Sequence, residues 1–385
     1  MKIGIVLRRF HTRGGTERRT TELVRGLLDQ GHQVHLFAEA WQGDLTESLI
    51  CHRIHTIKAA RWLKALSFAM LAARAIRREN LDLVHSQART YADDVATLGG
   101  GCHADYLART LQKASPLRRA WEHNHPFHRI TIVLEQAQYQ NCSRIILNSQ
   151  LAKNGLIRFF PWAEDKCRVI HNGVDADFFR PDEDARQSLR AELGVSDNAI
   201  VFLFVGSGFE RKGLAEFLQA LALTRQRRAD VDSFGLVVGR GDIAHYRSLA
   251  QNAAIGERVF FHGPAGDTRP FYAASDVFVL PTRFDPYANT TNEALASGLP
   301  VITTTTNGAC EVLTPAEGLV VPQAEAIESL AEALQVTLET DRRLAMSKAA
   351  RQLALRHPWS ETTRKTLEVY AEIKAFDKPS PIRQK

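Results

Sequence analysis

The sequence lacks the features of a disulfide scaffold, a membrane span or a disordered chain. Its five cysteines (Cys51, Cys102, Cys142, Cys167 and Cys310) are scattered, odd in number and never spaced as CxxC. That argues against a disulfide framework and a cysteine-built zinc site, and fits a reducing cytoplasm. No uninterrupted apolar run reaches the roughly 18 residues that a spanning helix needs. The opening MKIGIVLRRF is too short an apolar run for a secretory leader and reads as a first strand. There is no low-complexity tail and no repeat of solenoid length.

What is present is an ordinary globular composition, 44% hydrophobic and 24% charged over 385 residues, a length that predicts two domains. The formal charge of +6 favours anionic partners. Phosphate groups, acidic lipid surfaces and nucleic acid all qualify, so charge alone selects none of them.

Short apolar runs alternate with amphipathic stretches, the pattern of parallel α/β sheets. IGIVL (3–7), VHLFA (34–38), LDLVH (81–85) and RIILNS (144–149) read as strands, with a helix from about Thr16 to Gln30 ended by Gly31. A second series starts near Lys166: CRVIHNGVD, AIVFLFVG, FGLVVG, RVFFHG, DVFVLPT and LPVITT. The Pro- and Asp-rich FFRPDEDAR (178–186) reads as a surface connection. The expected division is 1–168 and 169–362, with a C-terminal helix at about 363–385 packing back on the first domain. Two doubly wound halves would place their loops at the carboxyl ends of strands, where ligands bind.

Four loops carry candidate chemistry. Arg13-Gly14-Gly15-Thr16 lies between the first strand and its helix, where paired glycines and free N–H groups suit a phosphate. The same residues also make a tight turn capped by Thr16. Ser207-Gly208-Phe209-Glu210-Arg211-Lys212-Gly213 puts two cations at a strand end, where they would neutralise a leaving diphosphate or simply face water. Asp285 to Ala294 carries two carboxylates, Asp285 and Glu293, across a loop and a helix start that includes Asn289, Thr290 and Thr291. These could accept sugar hydroxyls, or Thr290 and Glu293 could form a capping box. Gly99-Gly100-Gly101-Cys102-His103 sets His103 on a loop where it contacts a polar substrate or serves structure.

Together these segments resemble the retaining glycosyltransferases of the glycogen-synthase-like family 4, over most of the chain. Gly14-Gly15, Asn148-Ser149, His171-Asn172-Gly173-Val174-Asp175, Arg211-Lys212-Gly213 and the run from Asp285 through Glu293 to Val301 carry the likeness. Within the family the sequence looks most like bacterial enzymes that add sugars to the lipopolysaccharide core. The resemblance implies a GT-B fold: two Rossmann-like doubly wound domains facing a central cleft. It implies a nucleotide-diphospho-sugar donor, a UDP-hexose such as UDP-glucose, and a lipid-linked or lipopolysaccharide core acceptor.

Carried over residue by residue, Lys212 and Arg211 hold the diphosphate, Glu293 the ribose, Gly14 and Gly15 the phosphate side, and His103 lies near the donor sugar. Asn289, Thr290 and Thr291 complete the donor site, with His103, Asp285 and Lys212 as the catalytic set. Asp285 is one methylene shorter than the family's glutamate, and the family's arginine before the lysine is replaced around Ser207. No metal or other cofactor is expected: Asp175-Ala176-Asp177 spells DxD but falls in the linker segment. The alternatives are a sugar-nucleotide epimerase or hydrolase of the same fold and a basic nucleic-acid-binding module. The latter is disfavoured by the lack of clustered aromatic and basic stacking positions.

Residues 49–78 hold Arg53, Lys58, Arg61, Lys64, Arg74, Arg77 and Arg78 and no carboxylate. From about Ala59 they read as a basic helix that either packs its apolar stripe inward or lies on an anionic membrane. The expected location is therefore the cytoplasm, peripheral on the inner face of its membrane.

Overall fold

The computed structural model describes residues 1–10, 15–42, 47–112 and 114–375. The chain divides into two compact units. The first takes Met1–Asn172 and the C-terminal helix Trp359–Ala375, and the second takes Gly173–Pro358.

The first unit carries β1 (Lys2–Val6), β2 (Arg9–Phe10), β3 (Gln33–Ala38), β4 (Ala40–Trp41), β5 (Ile50–Arg53), β6 (Leu83–Ser86), β7 (Val95–Leu98), β8 (Arg144–Leu147) and β9 (Cys167–Val169). Seven of them form one sheet in the order β5-β3-β1-β6-β7-β8-β9, every pair parallel, while β2 and β4 pair separately. Parallel strands covered on both faces must be apolar along their length. Accordingly β1 buries Ile3, Ile5 and Val6 completely, and β6 and β7 are buried throughout. The helix after β1 runs Gly15–Asp29, close to its expected span.

One part of the first unit differs from the sequence expectation, and a second decides between two packings the sequence left open. CRV of CRVIHNGVD belongs to the first sheet, as β9, rather than opening the second series. Cys167 pairs with Ile145, and the preceding Lys166 donates to the carbonyls of Tyr139, Gln140 and Cys142 at 2.8–2.9 Å, closing the end of the helix Pro126–Asn141. The basic stretch forms β5 and then a helix, Arg61–Ile76, which buries Phe68, Ala69, Ala72, Ala73 and Ile76. Its apolar stripe therefore packs inward. Lys64 is held by Glu39 at 2.8 Å and Arg61 lies over the Phe127 ring, whereas Arg74, Arg77, Arg78, Met70 and Leu71 stay exposed.

The helix Trp359–Ala375 closes the first unit. Tyr370 is buried, with its hydroxyl 2.6 Å from His85 Nδ1, and Glu372 receives Arg144 and Arg168 at 2.9 and 2.8 Å. The approach is close enough to require Gly26, where a Cβ would stand 2.6 Å from Thr363 Cγ2.

The second unit contains β10 (Ile200–Val205), β11 (Ser233–Val238), β12 (Val259–Gly263), β13 (Val277–Leu280), β14 (Val301–Thr304) and β15 (Gly318–Val321). They are ordered β12-β11-β10-β13-β14-β15 and all parallel. β10 reads IVFLFV and β11 SFGLVV, both wholly buried. The 178–186 segment is more than a surface connection. Phe179 is buried, and Asp182 caps the helix Glu183–Leu193 by accepting from the Ala185 N–H at 3.0 Å.

Each unit is a doubly wound sheet whose strand order reverses once, between β1 and β6 in the first and between β10 and β13 in the second. At such a reversal the connections on either side depart to opposite faces, leaving a crevice at the carboxyl ends of the two strands.

Candidate active site

In the second unit, the loops leaving β10 and β13 flank that crevice. After β10, Gly206-Ser207-Gly208 leads into a single helical turn, Phe209–Lys212, and then through Gly213 into the helix Leu214–Arg227. Gly213 has φ +78°, and a Cβ there would lie 1.9 Å from the Pro281 carbonyl oxygen, so no other residue fits. The Arg211 carbonyl accepts from Thr282 Oγ1 at 3.0 Å and from the Arg283 N–H at 2.9 Å, tying this loop to the one after β13. Phe209 is buried edge-on against Tyr246, which anchors the turn.

The tie brings the first candidate residues together. Lys212 Nζ donates to Asp285 Oδ2 at 2.6 Å, and Arg211 donates to the same oxygen at 2.8 Å and to the Phe284 carbonyl at 2.9 Å. Lys212 and Asp285 are buried, while the Arg211 side chain is 41% exposed. Burial alone would raise the Asp285 carboxyl, but Lys212 and Arg211 outweigh it and hold the group below the ordinary carboxylate range. The trio thus carries one net positive charge at a strand end, with Arg211 on its wet side.

Asn289, Thr290, Thr291 and Glu293 all lie on the helix Asn289–Ala296. The capping-box reading fails. The N-cap is Ala288, with no side-chain cap, and Glu293 Oε2 instead accepts from the Tyr272 hydroxyl at 3.0 Å. Thr290 Oγ1 is buried and has no hydrogen-bond partner, an unusual state for a hydroxyl.

The helix start is fixed by a residue that motif reading passed over. Asn307 is fully buried; its Oδ1 accepts from the N–H groups of Ala288 and Ala309 at 3.2 and 3.1 Å, and its Nδ2 donates to Thr291 and Thr303 at 3.1 and 3.0 Å. All its side-chain polar capacity is used, and it ties the helix start, through Ala288 and Thr291, to the end of β14 and the turn that follows, through Thr303 and Ala309. An asparagine inside the run TTTTNGAC gives no local sign of this.

In the first unit, Gly14 lies outside the described residues and Gly15 opens the helix that follows β1. His103 opens another helix, His103–Thr110, after β7 and the triple glycine. Its backbone N–H donates to Glu135 at 2.9 and 3.0 Å, and its Nε2 lies 2.8 Å from His128 Nδ1, whose other nitrogen meets Glu122 at 3.1 Å. Burial, then Arg89 and His128, push the His103 imidazole down to about 4, so it is neutral near pH 7. A neutral ring whose Nε2 is engaged has Nδ1 to offer a substrate.

A cavity of about 450 Å³ in the same unit is lined by Arg8, Arg9, Lys64, Gln87, Arg89 and Phe127, among others. In the linker, Asp175 Oδ1 accepts from the Phe178 N–H at 2.9 Å, a local turn contact.

Comparison with known proteins places these features in a family. Residues 13–178 match the family described as Glycosyltransferase Family 4, and residues 199–340 match Glycosyl transferases group 1. The D-inositol 3-phosphate glycosyltransferase of Saccharomonospora viridis is 31% identical over 283 residues, 70% of this chain but only 64% of that protein's length. The lipopolysaccharide glucosyltransferase WaaG of Escherichia coli is 22% identical over 368 residues, 94% of this chain and 93% of that one. A crystal structure of WaaG superposes with a TM-score of 0.80 over 95% of this chain and 99% of that one, at 20% identity. Anabaena HepE, solved in complex with UDP-glucose, gives a TM-score of 0.74 over 97% of this chain and 100% of that one, at 19% identity. The two family matches fall one on each doubly wound half of the chain, which belongs to the family 4, group 1 glycosyltransferases of GT-B fold.

Proposed function

We propose that the protein is a retaining hexosyltransferase. It moves a sugar from a nucleotide-diphospho-sugar, UDP-glucose or a similar UDP-hexose, to a hydroxyl of a lipid-linked or lipopolysaccharide core acceptor. The observation that carries this reading is the convergence of Lys212 and Arg211 on Asp285 at the β10/β13 reversal. As the glycosidic bond breaks, negative charge grows on the departing diphosphate, and fixed cations in a partly dry site stabilise that charge more in the transition state than in the bound donor.

Asp285 keeps the two cations at one place. Glu293, Asn289, Thr290 and Thr291 present acceptors and helix-start N–H groups to the ribose and phosphates, and the unpaired Thr290 hydroxyl fits a polar guest. The names of the relatives, one acting on lipopolysaccharide and one solved with UDP-glucose, support this choice of acceptor and donor. With cations serving the diphosphate, no metal is assigned to catalysis, and transfer should persist in excess EDTA.

The acceptor side is assigned to the first unit. Arg8 and Arg9 in its cavity suit a phosphorylated acceptor, and His103 is assigned to the sugar end of the donor. Among the described residues no helix is long and apolar enough to cross a membrane. We assign a peripheral place on an anionic membrane face to the exposed Arg74, Arg77 and Arg78 beside Met70 and Leu71.

A thermal-shift panel of nucleotide sugars, followed by product analysis with and without acceptor, tests the reading. The true donor raises the midpoint by mass action and is consumed only when acceptor is present. Consumption of donor alone, giving free sugar or an epimer, would replace the transferase with a hydrolase or epimerase. Retention of the axial configuration in the product, read by NMR, tests the stereochemistry.

A further inference from the structure

His35, His52 and Glu79 form a cluster in the first unit that the transferase reading does not use. β3 and β5 are parallel neighbours in a register that sets His52 opposite Phe37, and side chains alternate along a strand, so His35, Phe37 and His52 share one face. His35 Nδ1 stands 3.1 Å from His52 Nε2. Glu79, just beyond the helix Arg61–Ile76, brings Oε2 to 3.9 Å from His35 Nδ1 and Oε1 to 3.6 Å from His52 Nδ1. One ligand atom from each of the three lies within 4.8 Å of the others.

From these contacts we propose that His35, His52 and Glu79 bind one divalent transition-metal ion, zinc, as a structural staple between β3, β5 and the turn before β6.

Chemistry and spacing both support the assignment. Two imidazoles and a carboxylate, with water as the fourth ligand, are a zinc ligand set; tetrahedral bonds of about 2.0–2.1 Å place ligand atoms about 3.3 Å apart, and the three side chains, within 4.8 Å of one another, close on an ion by small rotations. Without an ion, the facing nitrogens of His35 and His52 have one proton to share, and the two rings cannot both be charged at that distance without strong repulsion. An ion takes both lone pairs and is neutralised in part by Glu79. The His52 ring is already oriented, stacked 4.4 Å from Phe37 with 9° between planes. An entry path exists, because the His52 and Glu79 side chains are 21% and 33% exposed while His35 is 8% exposed. Lys2, whose charge acts on His35 and opposes an ion, is exposed and therefore screened by water.

The outer shell is incomplete. His35 Nε2 is buried with no hydrogen-bond partner, whereas a metal-ligating histidine usually donates its second N–H to a carbonyl or carboxylate. The site should therefore hold zinc less tightly than a fully buttressed one.

The test uses full-length protein stripped with EDTA and dialysed against zinc chloride at neutral pH, with cobalt(II) as a visible reporter. One zinc per chain is expected, with a thermal midpoint several degrees higher and a cobalt spectrum of nitrogen and oxygen ligation. His52→Gln and Glu79→Gln should lose the ion and the stabilisation while transfer activity at low temperature is unchanged. His128→Gln, which alters the other histidine cluster, should keep the ion. Absence of stoichiometric binding, or uptake by His52→Gln equal to that of the parent, would overturn the proposal. Failure of a substituted chain to fold would not shield it, because the parent's stoichiometry and cobalt spectrum decide the matter alone.

Discussion

Lys212 and Asp285 stand 73 residues apart in sequence, yet their charged atoms meet at 2.6 Å, joining the two loops that flank the reversal of the second sheet. Both are buried, and Asp285 also holds Arg211. Lys212→Ala removes the drier of the two cations but leaves Arg211 on the carboxylate, so the fold should stand. Turnover should fall by about 3 kcal/mol of transition-state stabilisation, on the order of a hundredfold. Steady-state kinetics with circular dichroism reads this, and turnover within about twofold of the parent would remove Lys212 from the site.

Glu293 takes a hydrogen bond from the Tyr272 hydroxyl rather than capping its own helix. The amide oxygen of Glu293→Gln can still accept that bond, so the thermal midpoint should barely change. What is lost is the ionised acceptor for ribose hydroxyls, and donor affinity should weaken by roughly tenfold, the scale of one charge-assisted hydrogen bond. Calorimetric titration with nucleoside diphosphate and with intact donor measures it. Unchanged affinity beside a large stability loss would make the residue structural.

His103→Ala keeps the backbone bond to Glu135 but removes the ring that meets His128. Sugar transfer should drop by one to two orders of magnitude, of the kind a positioned polar group contributes (about 10²-fold), with little change in nucleoside diphosphate binding. Equal losses in both would place the histidine away from the sugar.

His85 supplies a pH dependence. Burial, and secondarily Arg19, push its imidazole down to about 3, and its nitrogens lie 2.6 Å from Tyr370 and from Thr97. The folded protein keeps the ring neutral, while the unfolded chain takes up a proton below about pH 6.5. The unfolded state therefore binds more protons between about pH 6.5 and 3. Stability is full above that window and declines as pH falls through it, by on the order of 2 kcal/mol for this group between pH 7 and 5. His103, lowered to about 4, adds in the same direction. His85→Gln does not titrate, so its midpoint should fall less than the parent's between pH 7 and 5. Parallel pH profiles of the two proteins would exclude His85 as a source.

The strands that stand out most clearly in the sequence are apolar without interruption. IVFLFV and SFGLVV have to be apolar along their length and leave a continuous run. The edge strand β5, reading ICHR and only partly buried, leaves none, and β7, reading VATL, is interrupted by a threonine that pairs with His85. β9 was visible as a strand, but its sheet was not, because membership depends on its pairing with β8. The candidate site shows the same division. Glycines and cations at strand ends mark the loops, since close backbone approach and charge are local requirements. The bond between Lys212 and Asp285, the Tyr272 contact to Glu293 and the knot around Asn307 are tertiary and leave no spacing to read.

The return of the helix Trp359–Ala375 to the first unit bears on how the protein is born. Tyr370 emerges from the ribosome 285 residues after His85, a delay of about 15–60 s at 5–20 residues per second. The second unit is continuous in sequence and can close before the chain is released, while the older first unit still waits for its final wall. A nascent chain would therefore be protease-resistant first in its later half. A stop codon just before Trp359 would spare the second unit and leave β6, at the centre of the first sheet, with His85 Nδ1 stripped of its Tyr370 partner.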